Sequence, residues 1–245
     1  RFASVTEQWA QFAVAGPRSR DVLNGLLDVP LEPGDWPFMA CGAVRVLGVT
    51  GRLFRISFSG EHAYELAVPA RYGDSLFRAL VARAEGMGGG AYGMEALNVL
   101  RIEKGLITHA EIHGRTTAFD IGMARMVSAK KDCVGKTLSQ RPGLLDPGRE
   151  RLVGLKPVGA VKLITVGGHL FDREAAPVRE ADQGYVTSAG YSPALGHVVA
   201  LGFLRRGPER IGEVVKMVDH LRGVETLCEV VDPVFFDPEG GRVRG

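Results

Sequence analysis

Apolar and polar positions in the first part of the chain change from period two to helical spacing. Residues 2–14 include an alternating segment that ends at Gly16-Pro17, and this pattern predicts a strand. Apolar residues then recur at helical spacing over 22–27, and Pro17 suits the first position of a helix. The chain therefore opens with a predicted strand followed by a helix.

The next segments predict a small sheet covered by a helix. Residues 43–49 and 53–58 are expected to form a hairpin around Thr50-Gly51, and residues 64–68 to add another strand. Residues 71–84 carry apolar side chains at helical spacing, which predicts a helix lying on that sheet. Its predicted inward face consists of Leu76, Phe77, Leu80 and Val81.

A second helix and a linker are predicted before the character of the chain changes. The helix covers 91–104, with Met94, Leu97 and Leu100 inward and Gly105 as its cap. The Pro- and Gly-containing stretch 140–149 is typical of a linker. After it come short β-type segments, which favour a barrel or sandwich. They are residues 152–155, 161–170, 198–204, 213–218 and 225–231. We therefore expect an α+β portion over 1–145 and an all-β domain over 146–245.

Composition narrows the class of protein. The 245 residues are 45% apolar, and 30 basic residues against 28 acidic ones are scattered along the chain, so no nucleic-acid footprint is seen. The longest apolar runs fall short of the roughly 18–20 residues that span a bilayer. Three distant cysteines indicate a reducing compartment, and we expect a cytoplasmic protein with no membrane or nucleic-acid partner. Because the sequence begins at Arg1, an amino-terminal portion is expected to have been removed or to belong to a longer polypeptide.

Two glycine motifs lack the sequence context that a nucleotide site requires. The stretch 88–93 has the G-x-G-x-x-G pattern, but a dinucleotide site needs a strand directly before it, and a helix is predicted there. Gly135-Lys136-Thr137 resembles the end of a phosphate loop, yet the first glycine of that loop would fall at Lys130. Neither motif supports a nucleotide site.

Metal and nucleophile chemistry are likewise not assigned. His109 and His113 flank Glu111, but two histidines without a third defined ligand seldom hold a metal, so a solvated loop is preferred. Three serines lack evident His and Asp partners, so no catalytic residue is nominated. They are Ser57, Ser59 and Ser188.

Two segments carry the remaining candidate chemistry. Residues 57–66 set Glu65 among aromatic residues that include Phe58, and residues 100–105 place Arg101 and Glu103 at a helix end. Charged acceptors beside a flat apolar wall suit a planar, polar heterocycle. Taken alone, Glu65 is more often a solvated strand residue, and Arg101 with Glu103 a helix-surface pair.

The order of several sequence strings favours a ligand site over solvated residues at these positions. They are residues 13–23, 60–66, 100–105, 116–122, 131–136 and 186–196. Together they resemble the folate-dependent aminomethyltransferase family, whose type member is the T-protein of the glycine cleavage system. Residues 54–61 and 237–242 are most similar, within that family, to the carboxyl-terminal part of the α subunit of heterotetrameric sarcosine oxidase.

The resemblance implies a set of folate-binding residues. The family's pterin-binding Glu falls on Glu65, and its stacking aromatic residue falls on Phe58. Arg101 and Glu103 match the family's R-x-E-x-G string, either as part of the folate site or as braces around it. A family Arg that contacts folate falls on Leu97, which departs from the pattern.

The resemblance also implies an architecture and a function. It predicts a partial T-protein-like fold, a ferredoxin-like α+β portion followed by a β-barrel, without the amino-terminal segment that holds the family's transfer Asp. The implied function is a tetrahydrofolate-binding domain that captures the carbon of oxidised sarcosine as 5,10-methylenetetrahydrofolate. FAD, FMN and NAD are expected on other parts of the complex, and the expected partners are the other sarcosine oxidase subunits and the missing part of the α subunit.

Two rival functions stay open. One is a folate-binding protein of the same fold that supports iron–sulfur enzymes, although residues 131–137 keep only Lys131, Cys133 and Gly135 of its marker string. On this comparison, Cys133 is expected to be a small buried apolar residue. The other rival is a domain that has lost its ligand and serves only in subunit assembly, which the departure at Leu97 favours.

Overall fold

The computed structural model describes residues 1–245 and divides into two compact units. The first consists of Arg1–Leu100 with Glu239–Gly245, and the second of Arg101–Pro238. The predicted boundary between residues 145 and 146 stays a prediction. A mixed α+β arrangement with a separate barrel is confirmed.

Four antiparallel strands form the sheet of the first unit, in the order β1-β4-β3-β2. Their bounds are β1 Trp9–Ala15, β2 Cys41–Val46, β3 Val49–Phe54 and β4 Ala63–Pro69. The helices of this unit are α1 Ser19–Asn24, α2 Gly73–Glu85, α3 Met94–Glu103, which runs on into the second unit, and the terminal turn Gly241–Arg244. Short 3-10 turns cover Thr6–Gln8 and Ala70–Tyr72.

The hairpin exists, but its turn was predicted at the wrong place. The turn is Leu47-Gly48, with φ of 49° and 77°, which suits the left-handed turn that joins twisted strands. Gly51 lies inside β3, where an added Cβ would come 2.7 Å from the backbone oxygen of Ala67. Close strand packing, rather than a turn, therefore explains this glycine. The strand predicted over 53–58 ends at Phe54.

One face of the sheet packs against α1 and α2 and forms the core of the first unit. Phe12 and Val14 of β1 and alternate residues of β4 lie on this face, together with Leu76 and Leu80 of α2. Phe77 was predicted inward, but it is 46% exposed while its ring packs 5.8 Å from that of Phe12. Of the four positions of α2 that were predicted to face inward, Leu76 and Leu80 are buried in the core.

Helix α3 is confirmed with one error of orientation. Met94 was predicted inward and is 78% exposed, because it stands in the first turn of the helix, ahead of the buried residues at its end. Gly105 caps the helix with φ of 68°, and the amide of Leu106 donates to the carbonyl of Arg101 at 2.8 Å. A left-handed residue at this place is the common helix stop.

Six strands close the barrel of the second unit, in the order β10-β5-β8-β7-β6-β9. Their bounds are β5 Glu150–Val158, β6 His169–Asp172, β7 Asp182–Ser192, β8 His197–Arg205, β9 Val214–Asp219 and β10 Val224–Val231. Short helices α4 Lys136–Ser139 and α5 Pro142–Leu145 precede the barrel, so the predicted linker is partly helical, and 3-10 turns cover Ala124–Met126, Arg179–Ala181 and Gly207–Arg210. Strand β7 was not predicted, and the strand predicted over 161–170 forms instead as β6, which begins at His169 and ends at Asp172.

Cys228 and Cys133 lie in different environments. Cys228 is fully buried in the barrel core, and burial raises the pKa of its thiol to about 12. Cys133 is exposed, so the prediction of a small buried residue there was wrong. Its segment lies between short helical turns and belongs to none of the three apolar cores.

Candidate functional site

The sheet of the first unit has a second face that α1 and α2 do not cover. Along β4, Tyr64, Leu66 and Val68 are at most 1% exposed in the core, and the alternate residues therefore point the other way. Glu65 is among these, and its register partner on β1 is Ala13. The same alternation puts Gln11 on this second face, one step along β1 from Ala13.

A cavity of about 200 Å³ lies on this second face, and residues of the first unit alone form it. It is smaller than the roughly 300–1,000 Å³ of pockets that enclose whole drug-sized ligands, so it suits a single ring system. Glu65 is the acidic residue of its lining. The apolar wall consists of Ala13, Ala15, Ile56, Phe58, Ala63 and Leu97.

Glu65 is half-buried and has a partner on the neighbouring strand. The side-chain amide Nε2 of Gln11 donates a hydrogen bond to Glu65 Oε2. Tyr92, from the connection between α2 and α3, also lines the cavity. Burial raises the pKa of the Tyr92 hydroxyl above its ordinary value of 10.0, and the negative charge of Glu65 raises it further. The Glu65 carboxylate and the Tyr92 hydroxyl therefore lie close enough to interact electrostatically.

Phe58 lies in the loop between β3 and β4 and lines the same cavity. Its ring is 39% exposed, which leaves an apolar surface available for stacking. Leu97 of α3 also contributes to the wall. The structure thus brings together Glu65 and Phe58, two of the four predicted site residues, and adds Gln11 and Tyr92, which sequence reasoning missed.

Arg101 lies in the second unit within a buried polar network. It donates to Ser188 Oγ at 2.5 Å, to Glu111 Oε2 at 3.3 Å and to the carbonyl of Leu106 at 3.2 Å. Ser188 in turn donates to Glu111 Oε1 at 2.6 Å. These contacts brace the start of the second unit against strand β7.

Glu111 is the centre of that network. Its side chain is 0% exposed, so the preferred solvated loop at this position was wrong. Burial alone would raise the pKa of its carboxyl, but hydrogen bonds from Ser188, Thr187 and Thr108 and the charge of Arg101 outweigh burial and lower the pKa. The group is therefore held as a carboxylate.

Glu103 is also buried, at 4% exposure. Its backbone carbonyl accepts hydrogen bonds from the amides of Phe235 and Phe236, at 2.8 and 2.9 Å. Next to it, Lys104 forms an ion pair with Asp237 at 2.9 Å. Within the second unit, the end of α3 thus holds the segment that follows the last barrel strand. A ligand contact for Arg101 or Glu103 stays a prediction.

A larger cavity, of about 350 Å³, lies in the second unit. His113 and Tyr185 form part of it and are joined by a hydrogen bond of 2.9 Å. Arg149 donates to both oxygens of Asp120, at 3.1 and 2.8 Å. The lining contains three arginines and three acidic residues. The positive and negative charges of this lining therefore balance, and we do not assign the folate site to this cavity.

Metal and membrane features complete the inventory. The structure contains no group of three or more His, Cys, Asp or Glu side chains placed to share a metal ion. None of its helices combines the length and the apolar character that crossing a bilayer requires.

Comparison with known proteins defines the class first. The fold is that of an aminomethyltransferase. The crystal structure of glycine cleavage system aminomethyltransferase T from Bartonella henselae matches with a TM-score of 0.74 and 25% identity, over 94% of this chain and 60% of that chain. The GCVT N-terminal domain model matches residues 1–131, and the glycine cleavage T-protein C-terminal barrel domain model matches 150–237. The chain therefore belongs to the glycine cleavage T-protein family, as its sequence strings indicate.

Among individual relatives, the chain is similar to sarcosine oxidase α subunits and to aminomethyltransferases. The chain is 46% identical to sarcosine oxidase subunit alpha from Rhizobium meliloti (strain 1021), over 100% of this chain and 25% of that protein. It is 40% identical to the same subunit from Corynebacterium sp. (strain P-1), over 99% and 25%. An aminomethyltransferase from Mycobacterium avium (strain 104) is 31% identical over 95% of this chain and 60% of that protein. The chain thus spans about a quarter of the length of its sarcosine oxidase relatives.

Proposed function

We propose that this chain is a tetrahydrofolate-binding domain of a sarcosine oxidase α subunit. In this role it captures the one-carbon unit of oxidised sarcosine as 5,10-methylenetetrahydrofolate. The observation that carries the proposal is Glu65, a half-buried carboxylate in an apolar cavity on the sheet face that α1 and α2 do not cover. The similarity to sarcosine oxidase α subunits supports the same role.

The residues of the cavity fit one end of that ligand. The pyrimidine edge of a pterin presents adjacent N–H donors, and a carboxylate such as Glu65 accepts two of them in a charge-assisted fork. Phe58 offers a ring face for stacking, and Ala13 and Ala15 leave room beside the carboxylate because their side chains are small. The cavity volume of about 200 Å³ corresponds to a ring rather than to the whole cofactor.

The chemistry explains why such a cavity is useful. Tetrahydrofolate supplies the amine that takes up the one-carbon unit when it is bound. The imine formed from sarcosine hydrolyses in water, so the apolar wall of Ile56, Phe58 and Leu97 protects the transfer by excluding water. Glu65 binds and orients the ring, and no residue of this chain is assigned as the acid or base.

The wider complex follows from the same proposal. FAD, FMN and NAD belong to other parts of the oxidase, where sarcosine is oxidised, and the other subunits are the partners of this chain. The assembly works in the cytoplasm. Arg101 and Glu103 are buried in the second unit, and their contact with the folate stays a prediction.

Calorimetric titration of the intact protein with tetrahydrofolate tests the proposal. We expect Glu65→Gln to weaken binding by about 1.5–3 kcal/mol, the usual contribution of hydrogen bonds to a charged group. Glu61→Gln is the matched control. It makes the same change four positions away, where the carboxylate pairs with Arg242 at 2.9 Å and does not line the cavity. This control should bind like the wild type.

The results separate the rival functions. If the wild type binds no tetrahydrofolate, the proposal is wrong and an assembly role is favoured. If it binds but its complex forms no 5,10-methylenetetrahydrofolate from sarcosine, a binding role without transfer is favoured. Equal weakening by Glu65→Gln and Glu61→Gln would mean that the cavity is not the site.

A further inference from the structure

Gln11 is the side chain that contacts the Glu65 carboxylate from the neighbouring strand. The two residues are 54 positions apart in the chain, and the antiparallel pairing of β1 with β4 brings them together. Gln11 Nε2 donates to Glu65 Oε2, and both side chains stand on the sheet face that α1 and α2 leave open. Gln11 is itself exposed and has no place in the apolar core.

A carboxylate on an open strand face has freedom that a binding site must remove. The Glu side chain has several rotatable bonds, and its terminal torsion is broad, so the plane of the carboxylate is poorly fixed by its own rotamers. A donor from the adjacent strand fixes that plane. Ala13, the register partner of Glu65, is too short to do so, and Gln11 provides the donor one step along β1.

The fixed plane matters for the ligand in question. A pterin edge offers two parallel N–H donors, and both bonds form well only when the carboxylate lies in the plane of the ring. Oε2 already accepts from Gln11, and a carboxylate oxygen can accept two hydrogen bonds, so the fork remains available. Gln11 therefore narrows the orientations of Glu65 without using up its capacity.

We infer that Gln11 is a positioning residue for the pterin site, acting through Glu65 to select ligands with a paired donor edge. This inference rests on the proposed function, since it assumes that Glu65 binds a pterin. None of the strings shared with the aminomethyltransferase family includes Gln11, because the first of them begins at Ala13.

The test measures dissociation constants in the intact native protein for two ligands. They are tetrahydrofolate and an analogue that lacks the 2-amino group and so has one donor fewer on the same edge. The variants are Gln11→Met, which keeps the length and removes the donor, and Gln11→Glu, which places a like charge beside Glu65. Both are made in the wild type and in Glu65→Ala. The matched control is Gln8→Met, at an exposed glutamine three positions earlier; the hydrogen bond to Glu65 comes from Gln11.

We expect Gln11→Met to weaken tetrahydrofolate binding by about tenfold, and Gln11→Glu by more than that. The preference for tetrahydrofolate over the analogue should fall several-fold, a readout that a purely structural role would not move. In the Glu65→Ala background, Gln11→Met should change binding by less than about twofold, because coupled residues are not additive. Gln8→Met should leave both constants unchanged.

The failures can be told apart. If Glu65→Ala weakens binding but both Gln11 variants bind like the wild type, Gln11 has no positioning role and the pterin site stands. The inference is also overturned if Gln11→Met weakens both ligands equally, or has its full effect in the Glu65→Ala background. If the wild type binds no tetrahydrofolate, the proposed function fails and the role of Gln11 fails with it. Gln11→Glu decides the case if Gln11→Met does not fold.

Discussion

Glu65 in the first unit and Glu111 in the second are the same residue type in opposite environments. Glu111 is fully buried and accepts from Ser188, Arg101 and both the amide and the hydroxyl of Thr108. Glu65 is half-buried beside a cavity and accepts from Gln11. The first carboxylate is saturated by its own protein, and the second retains acceptor capacity next to an open apolar space.

The contrast between Glu111 and Glu65 distinguishes a carboxylate that holds the fold together from one that can bind a ligand. A buried charge is tolerated when its hydrogen bonds are complete, and removing one partner of such a pair strongly destabilises the fold. A carboxylate that keeps free acceptor sites in a partly apolar place contributes little to folding and is available to a ligand. Variants at the two positions should therefore affect different properties of the protein.

The largest effect is expected for Glu111→Ala. It removes the Glu111 carboxylate from its buried ion pair with Arg101, and breaking a buried pair in this way costs about 3–5 kcal/mol. Urea unfolding, with hydrogen exchange followed in residues 182–205, measures the loss in the second unit. The control Glu225→Ala removes an exposed carboxylate of the barrel and should change stability by less than about 0.5 kcal/mol. Equal effects would contradict the assigned role of Glu111.

Acid should remove part of the contribution of Glu111. Because the folded protein lowers the pKa of this carboxyl below its ordinary value of 4.5, its contribution is complete above that pH and is lost as the pH falls through the folded pKa. At neutral pH, Glu111→Gln should be less stable than the wild type by about 1.5–3 kcal/mol, the contribution of charged hydrogen bonds. The gap should narrow below pH 4.5, as measured by urea unfolding at a series of pH values. A gap independent of pH would contradict this assignment.

The same two residues show what the sequence can and cannot predict. Glu65 was predicted because its string and several others occur in the order of a known family; its strand alone indicated a solvated residue. The burial of Glu111 depends on Ser188, 77 positions later, and on strand β7, which has small and polar residues that gave no clear strand signal. Gln11 was missed for a related reason, since only the register of β1 with β4 shows which residue stands beside Glu65.

The fold itself follows the same rule. The strands and helices with strong periodicity were predicted, as was the left-handed cap at Gly105. The hairpin turn was misplaced because Gly51 is required by the close approach of Ala67 on β4, which no local pattern records. Strand pairing and barrel closure join distant segments, so the sequence indicated a barrel or a sandwich and the structure decided for the barrel.

The smallest effect is expected for the stability of Glu65→Gln. The substitution keeps the length of the side chain, and its amide carbonyl still accepts from Gln11, so the pairing of β1 with β4 is preserved. Since Glu65 is half-buried and is not part of the apolar core, unfolding free energy should change by less than about 0.5 kcal/mol. Urea unfolding of the same sample used for calorimetry measures this change. A loss of several kcal/mol would show that Glu65, like Glu111, is a structural acid, and the weaker folate binding of this variant would then follow from unfolding rather than from a lost contact.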